Sequence, residues 1–196
     1  ADHQWKALRV RIGMLGTGYF LFLIFTHFVF ASDFALALVA GWKDAIFPMY
    51  HGLTALQAGV ATTIVATYFV RRLGRLERYI GINQFWPLAK LQLALSLLWF
   101  YFFFSAFIVF WYGRTVVGGQ VIELLVSGPY WWAFLAAFCL NFLIPMWTLM
   151  WNRVRVSIVG PTVIAGAIIL GTLIDRIRIY AAAWSTEGIN DEILRE

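Results

Sequence analysis

The sequence predicts an all-α integral membrane protein, a bundle of about five transmembrane helices. Three observations predict it. Hydrophobic residues make up 62% of the chain and charged residues only 13%, about half the charge of a typical soluble domain. Apolar runs of about twenty residues recur, the length that crosses a hydrocarbon core of roughly 30 Å. The basic residues fall in the short connections between those runs, where orientation signals lie. That placement also argues against a nucleic-acid partner, despite the formal charge of +5. The chain is read as a single transmembrane domain, 1–196, with no room for a separate soluble one.

Residues Ala1–Arg11 are polar and basic, with Trp5 as an interface anchor. The first span is expected over Ile12–Ala31, where Gly13, Gly16 and Gly18 permit close helix contact. No cleavable signal peptide is expected, because this apolar run is too long for one. Ser32–Ala45 is expected to form an outer turn. Its DFALALVAGW run is too short to span and is expected to lie along the interface as a short helix.

The second span is expected over Ile46–Val70, with Pro48 in its first turn, where a missing N–H costs nothing. A basic loop follows over Arg71–Pro87. The third span, Leu88–Tyr112, is unusually aromatic. Gly113–Gly128 reads as a loop, with a turn at Gly118-Gly119 and no phosphate-binding context. The fourth span, Pro129–Trp151, contains Pro145, where a kink is expected. The fifth is expected over Ile158–Tyr180, followed by an acidic tail that is frayed or docked on a partner.

Charge sets an expected orientation. With the N-terminus cytoplasmic, the inner side takes Lys6, Arg9, Arg11, Arg71, Arg72, Arg75, Arg78, Lys90, Arg153 and Arg155. The outer side takes only Lys43, Arg114, Arg176, Arg178 and Arg195, with eight of the ten acids. The cytoplasmic side carries the basic excess, so the C-terminus is expected to be periplasmic, in a bacterial or archaeal cytoplasmic membrane.

His27, Asp33 and His51 then sit at similar depth near the outer face. Histidine titrates near neutrality, and ionisable groups inside a membrane are costly enough to be functional candidates. Together these groups are candidates to take the protons of a quinol. Each also has a plainer role: the histidines as hydrogen-bond partners of neighbouring helices, Asp33 as a cap of the interfacial helix. Trp42 and Tyr50 are candidate quinone contacts. Lys90 either snorkels to the inner interface or belongs to a proton path. Asp175 and Arg176 form a local ion pair or dock an outer subunit.

A lone Cys139 excludes an internal disulfide and any CxxC-type cluster. Only two histidines lie within spans. A single bis-histidine haem is arithmetically allowed, but no haem or metal is expected within the chain. No internal repeat or charged stripe points to a transporter or pore.

Several stretches, in order, resemble the NrfD/polysulfide-reductase membrane-subunit family, and within it the quinol-oxidising membrane subunits of alternative complex III. Ser32-Asp33-Phe34 through Gly41-Trp42 to Ala45-Ile46-Phe47 is similar to the family's outer turn. Leu88-Ala89-Lys90-Leu91 resembles its helix start, and Ser105-Ala106-Phe107 to Phe110-Trp111-Tyr112-Gly113 its WYG helix end. Asn141-Phe142-Leu143-Ile144-Pro145 with Arg153 and Arg155, then Gly171 to Asp175-Arg176, resemble its last two helices. The likeness spans nearly the whole chain and about the C-terminal half of a typical member. Two positions depart: Ala106 stands where many members carry Glu or Gln, and neutral Gln84–Pro87 replaces an acid before Lys90.

The resemblance implies a haem-free membrane subunit of a respiratory or photosynthetic electron-transfer complex, not catalytic by itself. It would help quinol or quinone redox, with menaquinone or another quinone as the only cofactor. Electrons would be exchanged with a periplasmic iron–sulfur partner, beside cytochrome c or molybdenum subunits, other integral membrane subunits and membrane lipids. The alternative is a structural scaffold of such a complex with no quinone site, and behind it a small transporter.

Overall fold

The computed structural model describes residues 2–39 and 43–184. The fold is all-α, with no strand among the described residues. The long elements are α1 (Asp2–Phe34), α2 (Phe47–Leu73), α3 (Ile82–Gly113) and α8 (Val159–Trp184). Between α3 and α8 lie α4 (Val116–Ile122), α5 (Trp131–Phe138), α6 (Ile144–Met150) and the single turn α7 (Asn152–Arg155). Four helical rods are long and apolar enough to cross a membrane: Gln4–Leu38, Phe47–Leu73, Ile82–Gly113 and Trp131–Met150.

The expected fifth span, α8, is the bundle's most enclosed helix. It packs chiefly on α2 and α5 and buries Asp175 and Arg178 in its C-terminal half. A rod shielded by its neighbours can carry charges that a lipid-facing one cannot. α1 is its opposite. It packs against α2, and residues 4–22 are exposed. At 1.5 Å per residue its 33 residues extend about 50 Å, longer than the hydrocarbon core.

Several expected boundaries move. α1 continues through Ser32 and Asp33, since no Gly or Pro stops it there. Among the described residues, the expected interfacial helix is a 3₁₀ turn, Leu36–Leu38. Its cap position is Ala35, with no side-chain cap, so Asp33 caps nothing. Asp44 caps α2 instead: its Oδ1 accepts the N–H of Ile46 at 2.8 Å and of Phe47 at 3.1 Å. α3 begins at Ile82, before the expected Leu88, because Gln84 Oε1 turns back to accept the Gly81 N–H at 2.9 Å.

The expected loop over Gly113–Gly128 is mostly helical. Thr115 caps α4 by accepting the Gly118 N–H at 3.1 Å, and the chain continues as a π turn, Glu123–Ser127. A Cβ at Gly118 would lie 2.8 Å from Thr115 Oγ1, so the cap needs the glycine. Gly118-Gly119 is therefore helix and not a turn.

At Pro145, where a kink is expected, the helix passes through a π turn, Cys139–Leu143, that joins α5 to α6. Proline has no N–H to offer the carbonyl four residues back. That carbonyl, Asn141 O, accepts Gln57 Nε2 at 3.0 Å. Here α8 crosses closely: a Cβ at Gly171 would meet Leu140 Cβ at 2.6 Å.

Candidate functional site

Polar groups gather where α1 ends, α2 begins and α8 ends. On α2, Tyr50, His51, Thr54 and Gln57 stand at helical spacing and are all buried, so successive turns turn a polar face inward. α8 answers with Thr172, Asp175, Arg176, Arg178 and Tyr180.

The outermost layer is a line of three side chains. His27 Nδ1 lies 2.9 Å from His51 Nδ1, and His51 Nε2 lies 2.9 Å from the Tyr180 hydroxyl. Arg176 Nη2 donates to the His51 carbonyl. With both imidazoles neutral, one proton is shared between the two Nδ1 atoms. If His51 donates it, its Nε2 accepts from Tyr180. If His27 donates it, His51 Nε2–H donates to Tyr180. A line with two allowed senses can pass a proton from one end to the other.

The second layer is ionic and fully enclosed. Tyr50 donates its hydroxyl proton to Asp175 Oδ2 at 2.6 Å, and Arg178 Nη2 meets Asp175 Oδ1 at 2.7 Å. Asp175 has no solvent exposure, and Arg178 packs beside the Phe134 ring at 5.4 Å. A buried carboxylate requires such pairing, since an isolated one is prohibitively costly. Arg176 adds a second cation, with Nη1 buried and lacking an acceptor among the described residues.

A cleft opens beside this layer, with Asp44, Tyr50 and Arg178 at its polar end and Phe103, Ala106 and Phe107 on its apolar wall. Ala106 thus shares a cleft with Tyr50 and Arg178. The cleft holds about 70 Å³. Small-molecule sites run to roughly 300–1,000 Å³, so this cleft is sized for waters or a thin ligand. Burial raises the Asp44 carboxyl above its ordinary range, although the two backbone N–H groups pull it down.

A third layer, deeper in the bundle, carries no charge. Gln57 Nε2 donates to Ser96 Oγ and to Asn141 O, both at 3.0 Å. Thr172 donates to Asn141 Oδ1 at 3.0 Å. This amide layer ties α2, α3, the π turn and α8 together.

Five of the residues singled out in the sequence therefore meet: His27, Tyr50, His51, Asp175 and Arg176. Asp33 does not join them. It is exposed on the last turn of α1, on another face from His27. Lys90 stands at the opposite end, exposed, with Nζ 3.3 Å from the Trp86 ring centre. That cation–π contact fits an interfacial lysine. Trp42 and the acidic tail lie outside the described residues. Tyr180, Arg178, Asp44 and the amides were not singled out as site residues. The signal for the amides was present, as polar residues at i, i+4 and i+7 in an otherwise apolar helix.

No family model matches the chain, and no curated protein matches it.

Proposed function

We propose that this chain is a membrane subunit of a respiratory or photosynthetic electron-transfer complex in a bacterial or archaeal cytoplasmic membrane. Its histidine end, facing the periplasm, handles the protons of a quinol. The observation that carries the reading is the His27–His51–Tyr180 line, with His51 buried at its centre, lying directly beside the Tyr50–Asp175–Arg178 group. Oxidation of a quinol releases two protons and two electrons. The histidine line has a two-sense path for a proton, and the Arg176 guanidinium favours the anionic form of a quinol whose first proton has left. The electrons pass to a periplasmic iron–sulfur partner, with cytochrome c or molybdenum subunits beyond it. The ring itself binds outside the small cleft, against this end and a neighbouring membrane subunit.

A second reading is a structural scaffold. The observation favouring it is the same small cleft, with a hydrogen-bond set that already staples α1, α2 and α8 together.

The test uses the intact complex. His51→Phe removes the middle of the line and both of its hydrogen bonds, and His51→Gln keeps polar contacts without a titrating ring. If the proposal holds, both variants assemble, both lose at least tenfold in quinol turnover, and Asp33→Asn turns over normally. Normal turnover and normal quinone-analogue binding in both His51 variants make the chain a scaffold. A selective loss in Asp33→Asn moves the chemistry to the exposed turn.

A further inference from the structure

The opposite end of the bundle carries a different chemistry. Arg71, Arg72, Arg75 and Arg78 lie within eight residues, and Arg153 and Arg155 of α7 pack nearby, since Val154, Phe85 and Ile80 share one apolar cluster. Within Arg71–Arg78 and α7, Glu77 is the single carboxylate.

The turn that carries the arginines is well fixed. Gly74 ends α2, Arg75 takes the left-handed conformation at φ 52°, and the Leu76 N–H returns to Arg71 O at 3.0 Å. This is a Schellman closure, with Arg75 at the position usually held by glycine. Arg71 Nε donates to Ile80 O at 2.9 Å and pins the far side of the loop. Arg72 is 69% exposed and meets Glu77 only at 3.5 Å. Such surface pairs are worth about 0–1 kcal/mol, so a stronger anion displaces Glu77 readily.

Below this turn, an open groove of about 330 Å³ runs along α2 from Thr62 to Val70, closed at its end by Ile80. Its threonines are not a polar lining. Thr62, Thr63 and Thr67 each donate to a carbonyl of their own helix, those of Ala58, Gly59 and Thr63. Their hydroxyls are thereby used, and methyl groups remain to face the groove. The eight residue steps from Thr62 to Val70, at 1.5 Å each, make it about 12 Å long, close to the roughly 15 Å depth of one leaflet of a 30 Å core.

We infer that this end binds an anionic phospholipid. Its phosphate sits against Arg72 and Arg75, and one acyl chain lies in the α2 groove. The surplus of guanidinium over carboxylate selects a net-negative headgroup over a zwitterionic one. The methyl-lined groove ends at Ile80, whose carbonyl Arg71 holds, and its depth near that of a leaflet selects a lipid over a free anion.

Spin-label EPR tests this in phosphatidylcholine vesicles containing the full chain, with chain-labelled phosphatidylglycerol or phosphatidylcholine as probe. Phosphatidylglycerol is expected to give a motionally restricted fraction several-fold larger than phosphatidylcholine, shrinking with salt. In the Arg72→Gln/Arg75→Gln variant the ratio falls to about one. Ala66→Phe fills the exposed groove and lowers the restricted fraction with the arginines intact. Circular dichroism melts check that both surface variants fold. Equal binding of the two lipids by the native chain overturns the inference, as does an unchanged ratio without the arginines. An unchanged restricted fraction in Ala66→Phe means a diffuse charge effect and also overturns it. Loss of the preference in inorganic phosphate, but not in chloride of equal ionic strength, assigns the site to a free anion instead.

Discussion

α2 and α8 each run through two halves of the bundle that are built in opposite ways. Toward the arginine end, the buried cluster is Ala61, Ile64, Phe85, Ala89, Leu149, Ile164, Ala165 and Ile168, all apolar. Toward the histidine end the same two helices meet through Tyr50–Asp175, the Arg176 bond to the His51 carbonyl and His51–Tyr180. Both halves lie in one fold and on one pair of helices, so helix formation does not account for the contrast. Lipid tails are as apolar as leucine, so a membrane gives little hydrophobic drive for helix association. Close packing suffices to hold the apolar half. The ionic half meets a desolvation penalty that bonds of excellent geometry offset. A cost of that kind, confined to one end, points to function at that end.

The comparison breaks most sharply at the ion pair. Arg178→Ala leaves the enclosed Asp175 carboxylate without its 2.7 Å cation, and removing one partner of a buried pair costs about 3–5 kcal/mol. Unfolding in mixed micelles of dodecyl sulfate and a mild detergent measures it. Replacing both, as Asp175→Leu/Arg178→Met, makes this half resemble the other and is expected to recover most of the stability. Quinol turnover in the intact complex is expected to stay low in that double variant. Recovery of stability and turnover together would mean that the pair only holds helices.

What the sequence makes legible follows the same divide. The apolar rods are visible because each is a local property of twenty residues. The shared depth of His27 and His51 follows from their distances to the ends of those rods, and the structure joins them at 2.9 Å. The partners of Tyr50 and His51, by contrast, lie 125 to 129 residues away. Helix spacing places Asp175 and Tyr180 on a face of α8, but nothing in the chain states that this face meets α2. Asp33 and Asp44 show a smaller failure of the same kind. Both flank the turn, and the choice of cap depends on where α1 stops. The helical character of Val116–Ser127 was hidden by glycines, which here serve a cap and a close approach to Phe110.

The amide layer between the halves gives a middle-sized test. Gln57→Leu withdraws the donor from Asn141 O, which Pro145 leaves without an intrahelical partner. The expected loss is about 0.6–2 kcal/mol, the range for an interhelical hydrogen bond in a membrane. Pro145→Ala supplies a backbone N–H to the same helix, so the two substitutions should be coupled. Additive effects in a double-mutant cycle would show that Gln57 acts through Ser96 rather than through the released carbonyl.

The smallest effect belongs to Asp44 and concerns pH. Its cap bonds and its burial oppose each other, and burial dominates, so the folded-state value is raised above 3.8. A raised acid favours the protonated form in the fold. Its contribution is therefore fully present below 3.8 and is lost as the pH climbs through the raised folded value. Asp44→Asn keeps an oxygen for the Ile46 and Phe47 N–H groups and cannot ionise. It should match the native chain in thermal melts at the acid end of that window, then exceed it by a few degrees at neutral pH, with a flat profile throughout. A negative charge at a helix N-terminus is itself favourable, and this pulls the other way. If that attraction dominates, the asparagine variant melts lower at neutral pH, and the cleft beside Arg178 is wetter than its lining implies. The sign of the difference at neutral pH thus reports whether water or protein surrounds this carboxyl at the mouth of the histidine end.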